Sequence, residues 1–276
     1  MTEGKRPELK TPATACDTHM HFYDARFPTA PTAVFTPPDA LVQDYRAIQA
    51  RLGLERVVVV QPTTYGLDNA CQLEALAALG DTARAVLVAD ATTPDVELQR
   101  LTGLGVRGIR FHMLPGGALP WELLEEMAAR VHNFGWHVQL QLNGRELADR
   151  LTQLQRLPGD LVIDHVGRFM DPVPLDDPSF GALLTLLEGG RCWVKLSAPY
   201  ESSVVGGPGF ADVAAEARAL VKAAPERMLW ASNWPHPNQR IAYDEADLLD
   251  LLLDWVDDAA TRDRILADNP AALYGF

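Results

Sequence analysis

The chain has 276 residues, 47% of them hydrophobic, and a formal net charge of −13, with a pI near 4.9. That length holds one large α/β domain or two small ones with a substantial core. The acidic balance argues against nucleic acid and against an anionic membrane surface, since both require a basic face. It still allows a small anionic ligand, provided a few arginines are focused in a pocket.

No apolar run reaches the roughly 20 residues of a membrane span, and the segment from Met1 to Pro12 is polar, without the hydrophobic stretch of a leader. Cys16, Cys71 and Cys192 are an odd count without metal-knuckle spacing. Cys16 and Cys192 fall in strand-like runs and read as buried thiols, so the expected compartment is a reducing cytoplasm.

In chain order, short β-branched or apolar runs predict strands over Ala15–His19, Arg56–Gln61, Arg84–Asp90, Val106–His112, His137–Leu142, Leu161–His165, Cys192–Ser197 and Met228–Asn233. Helical patterns fall between them, over Leu41–Leu52, Cys71–Leu79, Glu122–Asn133, Arg145–Gln155, Ser179–Glu188, Asp212–Ala224 and Tyr243–Trp255. Eight such units predict a single-domain (β/α)₈ barrel over residues 1–276. A doubly wound sheet, the alternative, usually carries a glycine-rich phosphate loop after its first strand. Here that place holds Asp17-Thr18-His19-Met20-His21.

Two irregular stretches stand out. The proline-rich loop from Phe22 to Pro38 reads as an active-site lid or interface element, and a glycine- and serine-rich loop from Tyr200 to Phe210 follows the seventh strand. A short helix after Asp257, ending near Asn269-Pro270, is expected to close the bottom of the barrel.

Strand alternation brings polar groups to the barrel mouth. They are His19 and His21, then Gln61, Arg110 and His112, Gln139 and Gln141, His165, Lys195 and Ser197, and Asn233. So many polar ends would be costly in a core unless they bonded one another or a ligand. His132 and His137 read as structural, Trp230 and Trp234 as packing residues, and Lys195 as either a site residue or the buried partner of a carboxylate such as Asp17.

The stretches Cys16-Asp17-Thr18-His19-Met20-His21, Val106-Arg107-Gly108-Ile109-Arg110-Phe111, Val162-Ile163-Asp164-His165-Val166-Gly167, Val194-Lys195-Leu196-Ser197 and Leu229-Trp230-Ala231-Ser232-Asn233-Trp234-Pro235-His236 resemble the amidohydrolase superfamily, of the amidohydrolase-2 type. Within it the chain is similar to the branch containing 2-pyrone-4,6-dicarboxylate lactonase and galactarolactone isomerase. The resemblance implies an enzyme acting on a small carboxylated lactone or sugar acid without a divalent metal. Leu114-Pro115-Gly116-Gly117-Ala118 and Tyr200-Glu201-Ser202-Ser203 look closer to the isomerase. The arginine-rich loop expected for a second substrate carboxylate is not evident after Arg110.

Metal-dependent members of the superfamily have a histidine on strand five and an aspartate on strand eight. Here Gln141 and Asn143 stand near the first position and Asn233 at the second. An amide neither neutralises a dication nor activates its water. The expectation is therefore no metal, with Zn²⁺ held by His19, His21 and His165 as the alternative. Asn233 also departs from the lactonase-like members, which have an aspartate base there, because an amide cannot take a proton.

These readings lead to a metal-independent hydrolase opening a lactone by general acid–base attack on its carbonyl. Isomerisation by intramolecular acyl migration at the same site is the alternative. A zinc-dependent amidohydrolase or decarboxylase and a non-catalytic sugar-acid-binding barrel rank lower. His19, His21, His165 and Asn233 are the expected catalytic residues. Arg110 is expected to fork onto a substrate carboxylate, with Gln61, Gln141, Ser197, Tyr200 and His236 contacting substrate. The amphipathic helices show no surplus apolar face that demands a partner, which leaves homo-oligomerisation open.

Overall fold

The computed structural model describes residues 4–239, 241 and 243–276. Eight parallel strands form one sheet in sequential order, β1 (Cys16–Met20), β2 (Arg56–Val60), β3 (Ala83–Leu87), β4 (Val106–His112), β5 (His137–Gln141), β6 (Leu161–Ile163), β7 (Cys192–Leu196) and β8 (Met228–Trp230). β8 returns to β1 through Thr18, whose hydroxyl donates to the Trp230 carbonyl at 2.8 Å. Just above, the backbone N–H of Asn233 donates to His19 O at 2.9 Å. The protein is thus a single-domain (β/α)₈ barrel, as the alternating pattern predicts.

Helices α1 (Val42–Leu52), α2 (Ala70–Leu79), α3 (Asp95–Gly103), α4 (Leu124–His132), α5 (Leu147–Arg156), α6 (Pro178–Glu188), α7 (Ala211–Ala223) and α8 (Glu245–Trp255) alternate with the strands. β2 shows how period-two patterning builds two cores. Val57 and Val59 join the main core, while Val58 and Val60 join a smaller cluster with Cys16, Val86, Val162, Trp193, Leu229 and Tyr274. That smaller cluster fills the barrel floor. Cys16, Cys71 and Cys192 are buried free thiols. No helix among the described residues is long and apolar enough to cross a membrane.

Four features depart from the sequence expectation. α3 was not singled out by periodicity, because it buries only Leu98 and Leu101 and exposes Val96, so its apolar stripe is thin. β6 and β8 are three residues each, which puts His165 and Asn233 in the following loops. Their φ angles of +56° and +57° are incompatible with a strand. The C-terminal helical run does not end near Asn269-Pro270. It passes from α9 (Ala259–Asp263) through a π-helical turn (Arg264–Asp268) into α10 (Asn269–Tyr274). Pro270 sits in the first turn of α10, where its missing N–H costs nothing, and Tyr274 is fully buried in the floor cluster. Finally, β1 carries a bulge: Asp17 pairs with Val57, but Met20 pairs with Val59, so one extra residue is accommodated. Asp17 on one side of it bonds the Tyr45 hydroxyl of α1, and His19 on the other bonds His21 and residues of the barrel interior.

Candidate active site

At the C-terminal end of the strands, His21 donates from Nδ1 to the Val60 carbonyl at 2.8 Å. A carbonyl can only accept, so neutral His21 has a bare Nε2. Among the described residues the only atom bonded to it is His19 Nε2, 3.2 Å away, which must therefore donate. This leaves His19 Nδ1 as an acceptor between two donors, Gln139 Nε2 at 3.2 Å and Lys195 Nζ at 3.4 Å, with Asp164 Oδ1 also 3.3 Å away. The His19–His21 pair is thus satisfied internally, with a proton between the two rings.

Lys195 is fully buried. Its ammonium donates to Thr18 O at 2.8 Å and Gln139 Oε1 at 2.7 Å, and it lies 3.7 Å from Asp164 Oδ1. Burial and then Asp164 act on it in opposite directions, leaving its pKa at about 8. Burial pushes Asp164 up, but Lys195, His165 and Arg110 outweigh it and hold the carboxyl below its ordinary value. The partner of Lys195 is Asp164 rather than Asp17, which bonds Tyr45, Ser232 and its own strand.

A cavity of about 370 Å³ opens above this layer, within the usual size for a small-molecule site. His21, Arg110, Gln141, His165, Tyr200 and Asn233 line it, as do His112, Arg168 and Glu201. Val34 and Phe35 from the proline-rich loop form part of its wall. Arg110 donates from Nη1 to Gln61 O and from Nη2 to Gln141 Oε1, both at 2.6 Å. A guanidinium has five N–H donors, so three remain. Arg168 Nε lies 2.6 Å from Glu201 Oε2, and Glu201 Oε1 lies 3.4 Å from Asn233 Nδ2. Among the charged groups lining the cavity, Arg110 and Arg168 outnumber the single carboxylate Glu201, so a strongly acidic protein presents a cationic pocket.

His165 Nδ1 lies 2.8 Å from the Ser197 hydroxyl, and no hydrogen bond among the described residues ends on its Nε2. His165 is therefore the imidazole with a ring nitrogen turned to the cavity and fixed from behind. Burial lowers the pKa of His165 well below its ordinary value. Burial followed by Arg110 lowers His21 and His112 to about 3, so these rings are neutral at pH 7. The loop that carries His165 is strained: His165, Val166 and Arg168 all have positive φ. For a β-branched valine this is a rare conformation, and such strain concentrates at functional sites.

Other expected site residues stand behind the cavity wall. His19 and Ser197 are one residue removed from it, bonded to His21 and His165. Gln61 borders a smaller neighbouring cavity and uses its amide to hold the carbonyls of Gly66 and Asp68. His236 lies behind Tyr200, with Nδ1 2.8 Å from the phenol oxygen. Arg168 and Glu201 were missed in the sequence reading. Both lie in the loops after β6 and β7, beyond the strand ends, where strand alternation does not reach, although Arg168 follows His165 by three residues.

Among the described residues, His19, Asp164 and His165 are the one group with metal-ligand spacing. These donors do not suit a divalent ion. The Lys195 ammonium already sits against His19 Nδ1 and Asp164, and a dication there would add to the charges of Lys195 and Arg110 with Asp164 the one carboxylate of the donor set. The strand-eight position, where a carboxylate ligand would stand, holds the amide of Asn233.

A (β/α)₈ barrel with imidazoles, arginines and a lysine converging at the C-terminal ends of its strands is an enzyme scaffold. The amidohydrolase family model matches residues 16–276, and the chain belongs to that family. It is 40% identical to D-galactarolactone isomerase of Agrobacterium fabrum, over 98% of this chain and 94% of that protein. It is 34% identical to 2-pyrone-4,6-dicarboxylate hydrolase of Comamonas testosteroni, over 98% and 92%. A crystal structure of an Agrobacterium tumefaciens protein in its apo form superposes with a TM-score of 0.94 at 38% identity, covering 99% of this chain and 98% of that one.

Proposed function

We propose that this protein isomerises a small carboxylated lactone by intramolecular acyl transfer, without a metal ion. The observation that carries the reading is Asn233. Residue 233 is 1% exposed and bonded through Nδ2 to Tyr200 and Glu201, so the strand-eight loop offers no carboxylate to activate water. The relative at 40% identity, named an isomerase, supports the same choice. In this reaction a hydroxyl of the substrate attacks its own lactone carbonyl. The new C–O bond forms, the former ring oxygen departs, and the proton lost by one oxygen is gained by the other. No water is consumed.

Arg110 and Arg168 bind substrate carboxylate, with Gln141 holding Arg110 in orientation. His165 Nε2 exchanges the proton of the departing oxygen, and Ser197 holds the ring in place through Nδ1. The His19–His21 pair and the Lys195–Asp164 pair hold the cavity floor rigid. Lys195 supplies a fixed positive charge beside His19 and Asp164. Hydrolysis, placed first on the sequence, is the second reading and is favoured by the relative named a hydrolase at 34% identity.

The test is mass spectrometry of products from a panel of carboxylated lactones incubated in ¹⁸O-labelled water with a chelator present. An isomeric lactone without label is expected at undiminished rate. A labelled ring-opened acid would replace isomerisation by hydrolysis, and loss of turnover on chelation would overturn the metal-free reading.

A further inference from the structure

Acyl transfer requires an acceptor for the proton of the attacking hydroxyl, and Asn233 cannot serve. A chain of polar groups runs outward from it. Asn233 Nδ2 donates to the Tyr200 hydroxyl at 3.0 Å, and the phenol oxygen lies 2.8 Å from His236 Nδ1. His236 Nε2 lies 3.3 Å from Glu245 Oε1. The other oxygen of Glu245 is paired with Arg51, which also bonds Asp244. His236 and Glu245 are 9% and 6% exposed, so water does not substitute for these contacts.

Donor counting gives the chain a direction. Glu245 Oε1 can only accept, so neutral His236 carries its hydrogen on Nε2 and presents a bare Nδ1, and the Tyr200 hydroxyl donates to that nitrogen while it accepts from Asn233 Nδ2. Each donor meets an acceptor, and the second lone pair of Tyr200 is left for the cavity that it lines. A stacked Tyr243 ring, with centroids 4.3 Å apart and planes at 12°, fixes the phenol in place.

Resting on the acyl-transfer reading, we propose that Tyr200, backed by His236 and Glu245, is the base for the attacking hydroxyl. As the hydroxyl oxygen bonds to the lactone carbonyl carbon, its proton passes to Tyr200 O. The Tyr200 proton passes to His236 Nδ1, and the resulting imidazolium is stabilised by the Glu245 carboxylate. When the ring oxygen leaves with the proton given by His165, the relay returns its own proton to His165 through the product hydroxyls, and the enzyme is restored. Burial, and then Glu201, disfavour a resting phenolate on Tyr200, so the phenol works as a conduit that gains one proton as it loses another. His236 and Glu245 touch no substrate and are positioning residues in this scheme.

The test uses Tyr200→Phe, His236→Gln and Glu245→Gln, singly and in pairs, with the steady-state kinetics of the lactone reaction. Tyr200→Phe is expected to lower kcat about 100-fold, the usual share of general base catalysis, with KM changed less than about two-fold. Glu245→Gln is expected to lower kcat at least tenfold, and Tyr200→Phe/Glu245→Gln to be no slower than Tyr200→Phe alone, since residues acting as one unit are non-additive. Nitrogen NMR of the wild-type protein should find His236 bare at Nδ1 and protonated at Nε2, a readout that survives if a variant fails to fold. Multiplicative losses, an unchanged kcat in Tyr200→Phe, or the opposite tautomer would overturn the relay alone. A wild-type protein that converts no carboxylated lactone would overturn the acyl-transfer reading together with it.

Discussion

Asn233 decides more chemistry than any other side chain in the cavity. Its amide donates to Tyr200 and faces Glu201, so it organises two neighbours without being able to carry a proton itself. Replacing it by aspartate restores a base for water and removes the donor that holds Tyr200. The Asn233→Asp protein should therefore release some ¹⁸O-labelled ring-opened acid while its isomerisation slows by roughly tenfold, the worth of about 1.4 kcal/mol of lost hydrogen bonding. Mass spectrometry with labelled water reads both products at once. A variant that makes only unlabelled isomer at the original rate would show that residue 233 does not choose the nucleophile. At this scale the sequence was informative where the side chain alone limits the chemistry, as with the amide at 233, but it did not show that His19 and His21, expected as catalytic, bond each other. It was silent where a role depends on an unseen partner. Gln61 looked like a substrate contact but spends its amide on the loop at Gly66 and Asp68.

The elements that carry the site are strands ending in tight loops, and the loop after β6 is the most constrained. It places His165 and Arg168 at the cavity with a run of positive φ angles. It is also braced by the loop after β5, where Gly144 N donates to Arg168 O at 3.0 Å. A Cβ on Gly144 would come within 2.4 Å of the Gly167 carbonyl and 2.7 Å of the Phe169 ring. Both obstacles belong to the β6 loop, so Gly144→Ala has to displace it. We expect KM to rise about tenfold as Arg168 moves, and stability to fall by about 1–3 kcal/mol as for other overpacked sites. Substrate titration and urea unfolding measure the two effects, and an unchanged KM would separate the loop position from substrate binding. The existence of the strands was legible from their short β-branched or apolar runs, and the eight-fold repeat gave the barrel. The β1 bulge, the early ends of β6 and β8, and the π-helical turn before α10 were not legible. They arise from pairing and closure between segments far apart in the chain, which period-two and period-3.6 patterns do not encode.

For the molecule as a whole, burying so many neutral imidazoles makes stability depend on pH. His21, His112 and His137 are lowered to about 3, in each case chiefly by burial, and His19 and His165 are also pushed well below their ordinary value. In the unfolded chain each regains a pKa near 6.5. Between about pH 6.5 and pH 3 the unfolded state therefore binds more protons than the folded one, so stability is present above pH 6.5 and is lost as the pH falls. Each such group contributes up to about 1.4 kcal/mol per pH unit in that window. Glu216 acts in the opposite sense. Burial raises it to about 7, so it favours the folded state as the pH falls from about 7 toward its ordinary value, and Asp17, also raised by burial, acts in the same sense, but they are two groups against five. The buried histidines should dominate, and urea denaturation at pH 7.5, 6 and 5 should show a steep loss of unfolding free energy on acidification. The same series with His137→Gln, which changes a floor residue beneath the cavity, should have a shallower slope. Equal stability at pH 7.5 and pH 5 would mean that these rings are protonated in the folded state, and the neutral hydrogen-bond network assigned to the His19–His21 pair would fall with that result.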